Sequence, residues 1–131
     1  AFSDYGLQLG LAFQIIDDCL DLTGNELEVG KSLGTDLDAG KMTLPLILLR
    51  ERLPAQQRAW FDRTMGAPTA PSAADGSRLR TLLQEYGTVE ESIARARGHV
   101  EAALEVIRHA VPADLGLNLE AVADFVLGRR L

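Results

Sequence analysis

Asp17, Asp18 and Asp21, with Gln14 one turn before the first two, are the residues of this chain whose types and spacing could do chemistry. On an α-helix, residues three and four apart share a face. Asp17 and Asp21 then stand one turn apart, Asp18 is adjacent on the same side, and the amide of Gln14 shares their ridge. Like charges at this spacing repel, so three of them inside an otherwise apolar segment call for a positive partner. Hard divalent cations bound through carboxylate oxygen meet that need, Mg²⁺ above all where a polyphosphate completes the shell. Acid clusters on helices are commonly a solvated face. Such faces are set among Lys, Glu and Ser, whereas these aspartates lie between Ile15-Ile16 and Cys19-Leu20. An EF-hand tried at Asp36 to Lys41 fails, because Lys41 stands where the loop needs Gly and no Glu closes it.

The element that must carry the ridge is a helix capped by Ser3 or Asp4, running to about Leu22 and stopped at Thr23-Gly24. Leu9, Ala12, Ile16 and Leu20 fall together on a different side and are expected to bury. Gly6 and Gly10 each cost about 1 kcal/mol against Ala in a helix, so they are expected to mark close contact with a neighbouring helix or a substrate. Asn25 to Lys41 reads as a long loop with glycines at 30, 34 and 40 and lysines at 31 and 41. A loop of that length inside a compact domain is usually disordered or functional. Beside the acidic ridge, Lys31 and Lys41 can serve as point charges for phosphate oxygens while aspartates hold the metal.

Phe13-Gln14-x-x-Asp17-Asp18-x-x-Asp21, then Gly30-Lys31-Ser32-Leu33-Gly34-Thr35-Asp36-Leu37, then Gly40-Lys41-x-Thr43-Leu44-Pro45 resemble the second aspartate-rich region of the trans-isoprenyl diphosphate synthases, or polyprenyl synthetases. The match runs from about Gly6 to Leu49, and beyond Arg52 only an all-helical tail is similar. The resemblance implies an all-α fold, part of the isoprenoid synthase bundle, with about five or six helices and the aspartate ridge facing a central cavity. It implies a Mg²⁺-dependent prenyltransferase that ionises an allylic diphosphate, adds the carbocation to isopentenyl diphosphate and loses a proton. Asp17, Asp18 and Asp21 are then metal ligands, and Lys31 and Lys41 contact the diphosphate. Gln14 hydrogen-bonds near it, Phe13 lines the hydrocarbon channel or shields the cation, and Asp36 takes an ion-pair or helix-start role. The leaving diphosphate serves as proton acceptor.

Members of that family also carry an earlier aspartate-rich motif followed by arginines and an upstream Gly-Lys-Arg segment, and neither occurs in these 131 residues. Residues 1–131 are therefore expected to be the C-terminal part of a single polyprenyl synthetase domain, inactive alone, with a self-associating apolar face and a homodimeric partner. Two other classes stand beside this one. A regulatory subunit paired with a complete synthase is weighed against by the intact aspartates and lysines. A class I terpene cyclase carries a second metal motif of Asn or Asp with Ser or Thr and Glu, unlike the one here.

The remaining chain reads as helices. Thr43 is the expected N-cap of a helix through Leu53, with Leu46, Ile47, Leu49 and Leu53 inward. Pro54 restarts a helix over 55–64, where Trp60 is core or interface. Gly66 to Ser77 has loop composition, Ser77 caps a helix ending at Gly87, and Thr88-x-x-Glu91 is a capping-box pattern. A long helix follows through Val111, with His99 and His109 as surface residues. The last helix, 117–131, places Leu119, Val122, Ala123, Val126 and Leu127 inward, and Arg129 and Arg130 complement its C-terminal dipole end.

With 13 basic against 19 acidic residues, the chain is unsuited to non-specific nucleic-acid binding. No apolar run reaches the roughly 18 to 20 residues of a membrane span, and no secretory leader pattern opens the chain. The single cysteine, Cys19, cannot form an internal disulfide and reads as a buried small hydrophobe in a reducing cytoplasm.

Overall fold

The apolar periodicity at the start of the chain is realised as one long helix, and the computed structural model describes residues 2–23 and 42–128. The regular elements there are α1 (Phe2–Thr23), α2 (Leu44–Arg52), α3 (Ala55–Gly66), α4 (Ala73–Tyr86), α5 (Thr88–Ala110) and α6 (Ala113–Leu127). The expected all-α class is thus observed, with no strand among the described residues. The expected loop from Asn25 to Lys41, the Gly24 stop, and Arg129 and Arg130 lie outside the described residues.

α1 and α5 form the spine. α1 buries Tyr5, Ala12, Ile16, Cys19 and Leu22, and α5 buries Val89, Ala96, Val100, Ala103 and Ile107. Ala12 and Ala96 share one cluster with Ile16, Val100, and Ala123 and Val126 of α6. Small side chains at such a contact let two helix backbones come close, which is why α1 packs along α5 rather than crossing it briefly. At the other end of α1, Cys19 and Leu22 meet Leu46, Leu49 and Leu53 of the α2 segment, Phe61 of α3, Leu79, Leu82 and Leu83 of α4, and Val89.

The short helices are joined by tight elbows. Arg58 donates from Nε to Arg50 O and from Nη2 to Glu51 O and Leu53 O, so α3 supplies the donors that the last carbonyls of α2 lack. Arg50 binds Asp62 through two parallel hydrogen bonds of 2.7 and 2.9 Å. Between α4 and α5 the chain turns at Gly87, whose φ of +63° is a left-handed conformation that costs any residue with a Cβ.

Several expectations are corrected. α4 begins at Ala73, capped by Ser72, whose Oγ accepts from Asp75 N at 3.1 Å, rather than at Ser77. Ala73-Ala74 and a first-turn Asp75 are favourable helix starters, and they outweigh the loop-like composition around them. The Thr88 capping box does not form. Gly87 takes the cap position, the buried Thr88 hydroxyl has no hydrogen-bond partner among the described residues, and Glu91 pairs with Arg52 of α2. Ile47 and Val122 are exposed rather than inward, while Leu48 is buried. Successive helical residues differ by about 100° in direction, so a neighbour takes the inward place. α6 starts at Ala113, four residues before the expected Leu117. Trp60 is half-buried against the Phe61 cluster, with the Arg78 guanidinium 4.1 Å above its ring centre.

Candidate active site and family

The burial of one side of α1 decides which way its acids look. Tyr5, Ala12, Ile16 and Cys19 turn inward, so the opposite side, carrying Gly6, Gly10, Gln14 and Asp17, turns outward. Asp17 is exposed and Asp21 half-buried, one turn apart. Asp18 differs from both. It is only 8% exposed, because a step of about 100° round the helix from Asp17 carries it to the margin of the cluster around Cys19 and Leu22. There it accepts a hydrogen bond of 3.1 Å from Gln14 Nε2, the i,i+4 amide-to-carboxylate pairing that helices favour. Phe13 is exposed on the flank of the outward side.

Toward the N-terminus the outward side is smooth and uncharged. A Cβ built on Gly6 or Gly10 meets nothing within 4 Å, so neither glycine marks close approach of another helix among the described residues. The outward side therefore presents an open, apolar-flanked track at one end and carboxylates at the other.

Long-range bonds to α5 and α6 help to hold α1 in place. Tyr5 Oη donates to Leu119 O of α6 at 2.7 Å, and burial pushes the Tyr5 hydroxyl above its ordinary pKa. His99 of α5 donates from Nδ1 to Gln8 Oε1 at 2.7 Å, so this histidine is half-buried and bridges two helices instead of lying on the surface. No spacing in the sequence could reveal a pair 91 positions apart. His109 is exposed and pairs with Glu105, as a surface residue would. The Cys19 thiol lies 4.0 Å from Val89 O; burial first, then the charges of Asp18 and Glu90, push its pKa up to about 12. It stays protonated near neutral pH and is no nucleophile.

Lys31, Lys41 and Asp36 lie outside the described residues. Among the described residues, no group of three His, Cys, Asp or Glu is placed to hold a metal by itself. The donor set still suits Mg²⁺, which keeps several waters and takes one or two carboxylates together with substrate phosphates rather than an all-protein cage. Among the described residues, surface clefts also lie away from α1. One, of about 470 Å³, is lined by Trp60, Arg63 and Ser72 among others, and one, of about 320 Å³, by Val111, Pro112 and Leu117 among others.

Compared with known proteins, residues 1–81 match the family model described as polyprenyl synthetase. The chain belongs to the polyprenyl synthetase family. It is 36% identical over 129 residues to a short chain isoprenyl diphosphate synthase of Methanothermobacter thermautotrophicus, covering 98% of this chain and 39% of that relative. It is 34% identical over 107 residues to an octaprenyl diphosphate synthase of Haemophilus influenzae, covering 82% of this chain and 32% of the relative. The structure is similar, with a TM-score of 0.83 and 35% identity, to a polyprenyl synthase of Caulobacter crescentus complexed with calcium and isoprenyl diphosphate, covering 98% of this chain and 39% of that one. The chain thus spans about a third to two-fifths of the length of these relatives. The match extends through α6, well past Leu49, where the recognisable motifs end. No helix among the described residues is long and apolar enough to cross a membrane.

Proposed function

We propose that this polypeptide supplies the second carboxylate wall of a Mg²⁺-dependent prenyltransferase acting on an allylic diphosphate and isopentenyl diphosphate. The observation that carries the reading is the outward placement of Asp17 and Asp21 at the end of a smooth, uncharged helix side in a polyprenyl synthetase sequence. Breaking the allylic C–O bond leaves new negative charge on the departing diphosphate, so groups that hold that anion lower the barrier. Bound Mg²⁺ supplies Lewis-acid stabilisation of the leaving group. Asp17 and Asp21, with Asp18 beside them, anchor the metal–diphosphate, and Lys31 and Lys41 add cationic contacts to the phosphate oxygens. Phe13 presents an aromatic face to the hydrocarbon or to the developing allylic cation. Gly6 and Gly10 leave room for the chain.

Titration calorimetry of inorganic pyrophosphate into the 131-residue chain tests this. Heat that requires Mg²⁺ and is lost in Asp17→Asn is expected, and metal-independent heat or none overturns the reading. The first aspartate-rich motif is absent from these residues, so the chain alone is expected to incorporate no labelled isopentenyl diphosphate. Steady incorporation would overturn that part. We also propose that the chain self-associates through its exposed apolar side chains, chiefly Leu117 and Phe125 of α6, which are 67% and 71% exposed.

A further inference from the structure

We infer that the cleft between α3 and α4 binds a small zwitterion with an apolar side chain, of the α-amino acid class. Arg63 takes its carboxylate, Asp75 its ammonium group and Trp60 its side chain. The cleft, of about 470 Å³, lies between the last turn of α3 and the first turn of α4, with the connecting segment 67–72 as a further wall. That size falls within the range of small-ligand sites. No residue of α1 lines it, so the inference neither needs nor tests the metal–diphosphate reading.

The charges carry the argument. Neighbouring arginines are engaged: Arg50 with Asp62, Arg52 with Glu91, Arg58 with carbonyls at the end of α2, and Arg78 with the Trp60 ring. The Arg63 and Asp75 side chains both line the cleft, yet neither makes a hydrogen bond or ion pair with another described residue, nor with each other. Two opposite charges that share a cleft without closing on one another suit a ligand that carries both. The carboxylate of an amino acid accepts paired bonds from a guanidinium, and its ammonium group donates to a carboxylate. A simple anion would be repelled by Asp75, and a simple cation by Arg63. The apolar wall selects the side chain. Trp60 is half-buried against the cluster that holds Phe61, and the Arg78 guanidinium 4.1 Å above its ring helps to fix it. With Ala67, Ala70 and Pro71 beside it, the indole offers a preset apolar surface to an aromatic or branched group.

Trp60 is the single tryptophan of the chain, so its emission reports on the cleft. The experiment titrates L-phenylalanine into the 131-residue chain and follows that emission. A saturable change with a Kd in the millimolar range is expected, as befits a small ligand in an open cleft. Arg63→Gln and Asp75→Asn should each weaken binding roughly tenfold or more, since each removes one charge-assisted contact. Arg97→Gln, which changes an exposed charge on α5, should leave it unchanged. N-acetyl-L-phenylalanine lacks the ammonium charge and L-phenylalaninamide lacks the carboxylate. Each should bind the parent chain as weakly as the amino acid binds the variants, a comparison that does not depend on the variants folding.

No saturable change up to the solubility limit of the amino acid would overturn the inference. Parental affinity in both Arg63→Gln and Asp75→Asn would place the ligand elsewhere and overturn it as well. Equal binding of N-acetyl-L-phenylalaninamide, which carries neither charge, would mean apolar adsorption only. Equal binding of either singly charged analogue would reduce the cleft to a site for one charge and would also defeat the zwitterion assignment.

Discussion

Cys19 stands next to Asp18 yet cannot share the chemistry of the ridge. Its side chain is fully buried, and its thiol is pushed up to about 12 by burial and the nearby acids. The folded chain therefore holds this proton over a range in which the unfolded chain releases it, from about pH 9 upward. Between those values the unfolded state binds fewer protons, so stability is intact below pH 9 and falls as pH rises toward 12. The raised Tyr5 hydroxyl acts in the same direction. Thermal midpoints measured from pH 8 to 11 should decline, and the decline should be shallower in Cys19→Ala. Native chain should also react slowly with thiol reagents at pH 8, and fast labelling would contradict the buried thiol.

The helices obey rules that assign a cost to particular residues. Phe61 is almost wholly buried where α1, α2, α3 and α4 converge, so Phe61→Ala should cost about 3–5 kcal/mol in urea unfolding. Gly87→Ala forces a Cβ into the left-handed region and should cost about 1–2 kcal/mol, loosening the α4–α5 elbow. Ser72→Ala removes the cap on Asp75 N and should cost about 1 kcal/mol, whereas Ser77→Ala, at the position composition had favoured, should cost much less. Hydrogen exchange can localise both effects, with fraying at 73–76 expected only in the Ser72 variant. The Arg50–Asp62 pair is well formed, and the Arg50 hydrogen bond holds the Asp62 carboxyl below its ordinary range. Its exposure to water nevertheless makes it a minor contributor to stability.

Over the whole molecule, two faces remain uncovered by the described residues. α1 exposes Phe2, Leu7 and Phe13 on its outward side and flanks, and α6 exposes Leu117, Val122 and Phe125. Sedimentation at increasing concentration should show association that weakens when Leu117 and Phe125 are both replaced by Glu; a strictly monomeric parent chain would contradict it. The α1 side has a second use in the proposed reaction, since it is there that an allylic chain would lie. Binding and association can thus be separated: Asp17→Asn should abolish Mg²⁺-dependent pyrophosphate heat without altering sedimentation, while the α6 double variant should do the reverse.

Local rules in the sequence determined the helical class, the apolar stripe of α1, the stop at Gly87 and the acid-and-glycine spacing by which the family is recognised, because each depends on residues within a turn or two of one another. Helical spacing also placed Gln14, Asp17, Asp18 and Asp21 near each other. Only tertiary packing decided which of them faces outward, since a sector of about 100° per residue separates an exposed Asp17 from a buried Asp18, and the position of the neighbouring core sets the boundary. The same cause made Val122 exposed and drew His99 to Gln8 across 91 residues. Periodicity fixes the angle between side chains on one helix; what lies opposite each of them belongs to other helices, and local spacing carries no record of it.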